Sequence, residues 1–242
     1  MKLWVTRPAL DAAVLRDKLI AQRHDVIIEP LLQVEFDHHV LFELDRVQAL
    51  IATSRNSVRA VAASRQARAL MRLPLFAVGP GTASTARTLG FQSVIQGAST
   101  AADLLSVIDR HAIIDGGALL HLAGKDLAFD LAGRLRQIGH HVRQSVVYRV
   151  YTVQKLTTAT ISQLERGCID GVILLSPRTA ETYVNLMLAH GIDHFACKLV
   201  HFCLSQAVAD RVSRLHPADV RVPRRPNLSE ILALTDQTTA QS

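Results

Sequence analysis

Six polar clusters follow short apolar runs in this chain: Thr6-Arg7-Pro8, Ser54-Arg55-Asn56, Gly79-Pro80-Gly81-Thr82-Ala83-Ser84, Ala123-Gly124-Lys125, Ser176-Pro177-Arg178 and Ser205-Gln206. Each stands where a helix should open. The first N–H groups of a helix lack internal partners and carry partial positive charge. Such amides, joined by hydroxyls and guanidinium groups, suit a ligand with several carboxylates or phosphates. Taken singly, Ser54, Thr82 and Ser176 read as ordinary N-caps. Their recurrence in both halves of the chain favours a ligand-binding role. Tyr148, one of 3 tyrosines, offers different chemistry from its place beside Arg149 in a connecting segment. A phenol there can donate a proton or a hydrogen bond to a departing hydroxyl.

Other chemistries are excluded by spacing. Gly79 and Gly81 open like a dinucleotide loop, but Ser84 stands where the third glycine belongs, and no P-loop pattern occurs, so NAD or ATP binding is not expected. Cys197, His201 and Cys203 alternate with apolar residues and lack a C-x-x-C pair, which reads as core packing and not as a zinc site. With Cys168 they make an odd count, read as reduced, buried thiols. The pairs His38-His39 and His140-His141 read as solvated surface. A balance of 27 Lys+Arg against 21 Asp+Glu, formally +6, favours an anionic partner. The densest basic spots, Arg65-Gln66-Ala67-Arg68 and Arg224-Arg225, are short and lack interleaved aromatics, so nucleic-acid binding is not expected. The longest apolar runs are strand-sized, which argues against a membrane span. Met1-Lys2 leads straight into Leu3-Trp4-Val5 without a signal-peptide pattern, so a cytoplasmic location is expected.

The elements that must position these clusters alternate in type. Val-, Ile- and Leu-rich runs at 2–6, 26–29, 49–53, 75–78, 119–122, 142–147, 172–175 and 199–204 are separated by helical spacings. Ala12, Leu15 and Leu19 mark one such helix; Leu127, Leu131, Leu135 and Ile138, stopped by Gly139, mark another. The pattern predicts an α/β fold with parallel sheets buried on both faces. Residues 49–61, a strand, a serine and a helix, return as 171–183. The segment 75–89 is matched by 200–215, each followed by a strand (93–95 and 220–222) and a closing helix (101–108 and 228–234). A repeat of half the chain predicts two similar domains. The strand-helix-strand of 1–29 has its counterpart in 118–147, so one domain must be discontinuous. The simplest division is 1–32 plus 152–242 for one domain and 37–147 for the other. Residues 31–36 and 148–153 then form antiparallel connectors that act as a hinge beside a ligand cleft. The polar tail after Leu234 is expected to fray.

Taken together and in order, several segments resemble the uroporphyrinogen-III synthase family. They are Val5-Thr6-Arg7-Pro8 with Pro30-Leu31-Leu32, Thr53-Ser54-Arg55-Asn56-Ser57-Val58, Ala77-Val78-Gly79-Pro80-Gly81-Thr82-Ala83, Gly124, Val147-Tyr148-Arg149 and Leu175-Ser176-Pro177. The resemblance spans nearly the whole chain. It implies two flavodoxin-like domains joined by a two-stranded ladder, and conversion of hydroxymethylbilane, a linear tetrapyrrole with eight carboxylates, to uroporphyrinogen III in tetrapyrrole biosynthesis. Hydroxide leaves ring A to give an azafulvene, ring D is attacked at its substituted carbon, and a spiro intermediate reopens and closes inverted. No metal or cofactor is implied. Tyr148 matches the tyrosine proposed to assist loss of the hydroxyl, and Thr82 matches a cleft threonine. The remaining substrate-binding candidates are Thr6, Arg7, Ser54, Arg55, Asn56, Gly79, Gly81, Ala83, Lys125, Arg149, Ser176, Arg178 and Ser205. One departure is Leu204-Ser205-Gln206-Ala207-Val208, where Ala207 replaces the family's threonine and Ser205 is the candidate hydroxyl. A monomer in transient contact with hydroxymethylbilane synthase is expected. The rival from another class is a two-domain anion-binding or sensor protein without chemistry, which would need the loops but not the Tyr148 phenol.

Overall fold

The computed structural model describes residues 1–98 and 100–239. In chain order the elements are β1 (Lys2–Val5), α1 (Ala9–Ala21), β2 (Asp25–Ile28), β3 (Leu32–Phe36), β4 (Val47–Ala52), α2 (Arg55–Ala62), α3 (Ala67–Leu70), β5 (Leu75–Ala77) and α4 (Pro80–Thr88). Next come β6 (Val94–Gln96), α5 (Ala101–His111), β7 (Ala118–Gly124), α6 (Leu131–Gln137), β8 (Val142–Thr152), α7 (Thr158–Glu165), β9 (Gly171–Leu174) and α8 (Pro177–Ala189). The chain finishes with β10 (Val200–Cys203), α9 (Gln206–Val212), β11 (Asp219–Arg221) and α10 (Leu228–Thr239). Two compact units result, one of Met1–Gln33 with Tyr151–Ser242, the other of Val34–Val150.

The first unit holds a five-stranded sheet in the order β11-β10-β9-β1-β2, with every pair parallel. The second holds β3-β8-β7-β4-β5-β6; its pairs from β8 to β6 are likewise parallel. When β7 and β8 are matched to β1 and β2, and β4, β5 and β6 to β9, β10 and β11, both sheets show one doubly wound strand order. The second unit is simply permuted in the chain. In each the order reverses between two neighbouring strands, β1 and β9 or β7 and β4, and this is the switch point at which such sheets take ligands. Beside β8, β3 runs antiparallel: Asp37 N–H donates to Val147 O at 3.0 Å and Val153 N–H to Leu31 O at 3.1 Å.

Burial on both faces explains the near-continuous apolar strands. All seven residues of β7 and all four of β9 are buried. In the first unit Trp4, Tyr183, Leu15 and Phe202 are fully enclosed, each contributing on the order of 1.5–3 kcal/mol by removal from water. The polar groups around Trp4 and Tyr183 are linked one to the next by hydrogen bonds. The Tyr183 hydroxyl meets His201 Nε2 at 3.1 Å while His201 Nδ1 lies 3.1 Å from Leu199 O. A carbonyl only accepts, so Nδ1 carries the proton and Nε2 accepts from Tyr183, leaving the ring neutral. Trp4 stacks edge-on against Tyr183 at 5.6 Å and donates Nε1–H to Glu29 O at 3.0 Å. The Glu29 carboxylate accepts from Thr157 N–H at 2.7 Å and from the Thr157 and Thr160 hydroxyls, tying β2 to the start of α7.

Several local expectations are corrected. The helix expected from Leu127 begins at Leu131, because Asp130 Oδ1 accepts from Gly133 N–H at 2.9 Å and caps it there; Leu127 is exposed. His140 is buried, with Nε2 3.3 Å from Asp109 Oδ1, whereas His141 is exposed. Cys168 and Cys197 are exposed thiols, and only Cys203 lies in the core. The strand expected at 142–147 continues to Thr152. Rather than fraying at Leu234, α10 runs to Thr239, because Thr235 is buried and donates to Leu232 O at 2.8 Å beside Gln22. Residues 240–242 of that tail lie outside the described residues.

Burial holds the His201 pKa down at about 4, against 6.5 in the unfolded chain, and lowers those of His24 and His121 in the same direction. Between pH 6.5 and 4 the unfolded chain therefore binds protons that the folded chain refuses, and stability falls as pH falls. Denaturant titrations should show a loss of about 2 kcal/mol from His201 between pH 7 and pH 5. His201→Gln, which still accepts from Tyr183, should flatten that slope.

Candidate functional site

The carboxyl end of β7 is where the second unit departs from a regular ladder. Ala123 pairs with Val146, but Gly124 pairs with Tyr148, so Val147 is an extra residue on β8. A bulge of this kind re-aims the side chains that follow it. Val147 turns into the core, and the half-buried Tyr148 lays its ring against Gly124. A Cβ at Gly124 would stand 2.7 Å from both Cζ and the hydroxyl oxygen of Tyr148. Gly124 is not among the positive-φ glycines, so what this position demands is space for the phenol. Lys125 N–H donates to Tyr148 O at 3.0 Å, closing the turn, and the Lys125 and Arg149 side chains are exposed. The Tyr148 hydroxyl makes no hydrogen bond among the described residues.

Next to β7, β4 leads into α2 through Ser54, whose Oγ accepts from Asn56 N–H at 3.1 Å. Ser57 Oγ–H donates to Leu122 O at 2.6 Å, pinning α2 to β7 two residues before Gly124. One strand further, α4 opens on Gly79 with Pro80 in its first turn. Pro80 has no N–H, and Ala83 N–H already bonds Gly79 O at 3.0 Å, so Ala83 has no amide to offer a ligand. The amides without a helical partner are those of Gly81 and Thr82. Thr82 is therefore a third-position residue and not the cap; it is 5% exposed, and its hydroxyl makes no hydrogen bond among the described residues. The guanidinium of Arg55 lies over Gly81, where an added Cβ would stand 3.1 Å from Nε. This places a cationic side chain beside the helix end that carries partial positive charge.

In the first unit the matching edge is more closed. Thr6 is wholly buried and its hydroxyl donates to Ile173 O at 2.7 Å, bridging β1 and β9, so it serves as a latch and not as a ligand contact. Arg7 pairs with Asp11 one turn into α1 at 3.6 Å. Ser176 caps α8 by accepting from Thr179 N–H at 3.1 Å and shares a 2.7 Å hydrogen bond with the Thr179 hydroxyl; Arg178 is exposed. Ser205 stands at the N-cap of α9 without a side-chain capping bond, leaving its hydroxyl uncommitted to the helix.

The structure thus gathers Tyr148, Lys125, Ser54, Arg55 and Asn56 around the switch point of the second unit, with Gly79, Gly81 and Thr82 on the adjoining strand end. Arg7, Ser176 and Arg178 flank the switch point of the first, with Ser205 one strand further. Two contributors, Gly124 as the seat of the phenol and Ser57 as the pin of α2, were not among the sequence candidates. The signal for the first was a glycine closing an otherwise bulky buried strand. Among the described residues no three His, Cys, Asp or Glu side chains converge as a metal site.

The family model described as uroporphyrinogen-III synthase HemD matches residues 13–233. No protein of curated function matches in sequence. A crystal structure of uroporphyrinogen-III synthetase from Helicobacter pylori 26695 superposes with a TM-score of 0.66 at 17% identity, covering 98% of each chain. A mutant uroporphyrinogen III synthase from the extremely thermophilic bacterium Thermus thermophilus gives 0.52 at 15% identity, with 100% of each chain covered. At these identities the likeness establishes a common fold.

The contact of Gly124 with the phenol makes a stability prediction. Gly124→Ala should cost about 1–3 kcal/mol by overpacking. In a Tyr148→Ala background the same substitution should cost at least about 1 kcal/mol less, as read from a denaturation double-mutant cycle.

Proposed function

We propose how this chain, which belongs to the uroporphyrinogen-III synthase family, divides the labour of cyclising hydroxymethylbilane to uroporphyrinogen III as a carbon–oxygen lyase. The observation that carries the reading is the Tyr148 phenol, held by a bulge against Gly124 with its hydroxyl uncommitted. Tyr148 O–H donates to the ring A hydroxyl as its carbon–oxygen bond breaks, water leaves, and an azafulvene remains. The substituted carbon of ring D then supplies the electron pair for the first new carbon–carbon bond, its bond to the original methylene bridge breaks in the spiro intermediate, and that methylene closes on the unsubstituted α-carbon of ring D. The proton that ring D loses on final closure balances the one that departed with hydroxide, so water is the only by-product and Tyr148 recovers its proton.

The harder task is shape. The linear substrate closes unaided to the type I isomer, so binding energy must favour the folded-back geometry over the extended one. Carboxylates on every ring provide the handles. In the second unit the Gly81 and Thr82 amides, the Thr82 hydroxyl and the Arg55 guanidinium form one seat, and Lys125 and Arg149 present further charge. In the first, Arg178 and the hydroxyls of Ser176 and Ser205 supply the equivalent. The two chain passages at 31–36 and 148–153 serve as the hinge, with 1–32 plus 152–242 and 37–147 as the bodies it joins. The enzyme works as a cytoplasmic monomer that receives its labile substrate from hydroxymethylbilane synthase. Among the described residues no helix is long and apolar enough to cross a membrane.

Removing the phenolic hydroxyl should cost a general-acid contribution and little binding. Tyr148→Phe is expected to lower kcat by about 100-fold, within the range typical of general acid catalysis, with KM changed less than about two-fold; unchanged kcat would remove Tyr148 from the chemistry. Because carboxylates are held partly by exposed arginine and lysine, KM should rise several-fold between low and high ionic strength. A flat response would leave the helix amides as the anchors.

A further inference from the structure

The return connection from α2 to β5 carries three arginines that no part of the proposed reaction uses. Arg68 lies in the single turn of α3, and Arg65 and Arg72 flank it in the turns on either side. All three are exposed, and with Gln66 and Ala69 they line a single depression of about 610 Å³. None carries an ion pair among the described residues, and no carboxylate lines the depression.

The platform beneath them is fixed. Gln66 Nε2–H donates to Phe42 O at 2.9 Å and its Oε1 accepts from Phe42 N–H at 2.7 Å, so one side chain clamps α3 to the segment ahead of β4. Leu70, on the opposite side of α3, is fully buried. The clamp fixes the backbone that brings three like charges to one depression, and a shared anion relieves their mutual repulsion. Guanidinium forks match carboxylate and phosphate oxygens two at a time. The lining has no large apolar side chain, which disfavours a protein interface with a desolvated centre. It has no aromatic either, which disfavours a nucleobase. α2 starts at the carboxyl end of β4 and β5 starts at the amino edge of the same sheet, so this depression lies at the opposite edge from Tyr148 and Thr82.

We propose that Arg65, Arg68 and Arg72 form a second anion site, separate from the reaction site, for a small molecule bearing at least two carboxylate or phosphate groups. The test is calorimetric titration of the full-length protein with pyrophosphate and with citrate at constant ionic strength, and with acetate as a singly charged control. Amide chemical shifts of Ala67 to Arg72 locate the binding. Saturable binding with a sub-millimolar Kd is expected for at least one multivalent anion and none for acetate, with the stronger of pyrophosphate and citrate identifying the group preferred. Arg68→Gln with Arg72→Gln should weaken it at least ten-fold while Tm and turnover of hydroxymethylbilane stay unchanged. Absence of saturable binding, equal affinity in the double variant, or shifts confined to Gly79–Thr82 would overturn the proposal. Loss of turnover in the double variant at unchanged Tm would also overturn it, by placing the arginines at the reaction site.

Discussion

Parallel pairing brings all the carboxyl ends of a sheet to one edge, and each strand there must hand over to a helix whose first amides have no partner within it. The site in this chain grows from that constraint. β1 and β9 in one unit and β7 and β4 in the other are paired parallel at the switch point, the place at which doubly wound sheets generally take ligands. The capping serines Ser54 and Ser176 satisfy part of each first turn. Gly79 and Pro80 leave the first turn of α4 open, and Arg55 lies across it.

The two units solve the same problem differently. Aligned through Ser54 and Ser176, the strand that stops at Val5 in the first unit continues to Gly124 in the second. Thr6 closes the shorter edge with a hydrogen bond to Ile173 O. The longer edge gives β8 room for the Val147 bulge and hence the Tyr148 phenol its place on Gly124. The repeated fold therefore yields two strand edges of like topology, of which only the second carries a phenol seated by a bulge on a glycine.

The strand runs were legible because burial on both faces leaves little but Val, Ile, Leu and Ala in β4, β7 and β9. The class and the family resemblance followed from those runs and from the loops after them. What escaped the sequence depended on single contacts between distant residues. The apolar period through Leu127 carries no trace of the Asp130 cap that starts α6 four residues later. His140 and His141 look alike in sequence, yet the turn after α6 buries the first beside Asp109 and exposes the second. The polar composition around Thr235 hides its burial against Gln22. Gly124 and Tyr148 were both visible, but their contact requires a one-residue slip in register that no period reports.

At the centre stands the control that this chain exerts over which isomer forms. Freshly generated hydroxymethylbilane should be given to the purified protein without added cofactor, the products oxidised, and uroporphyrin isomers I and III separated by chromatography. Type III in clear excess over the protein-free control is the predicted result. Type I alone, at the spontaneous rate and from folded protein, would contradict it and leave an anion-binding protein without chemistry.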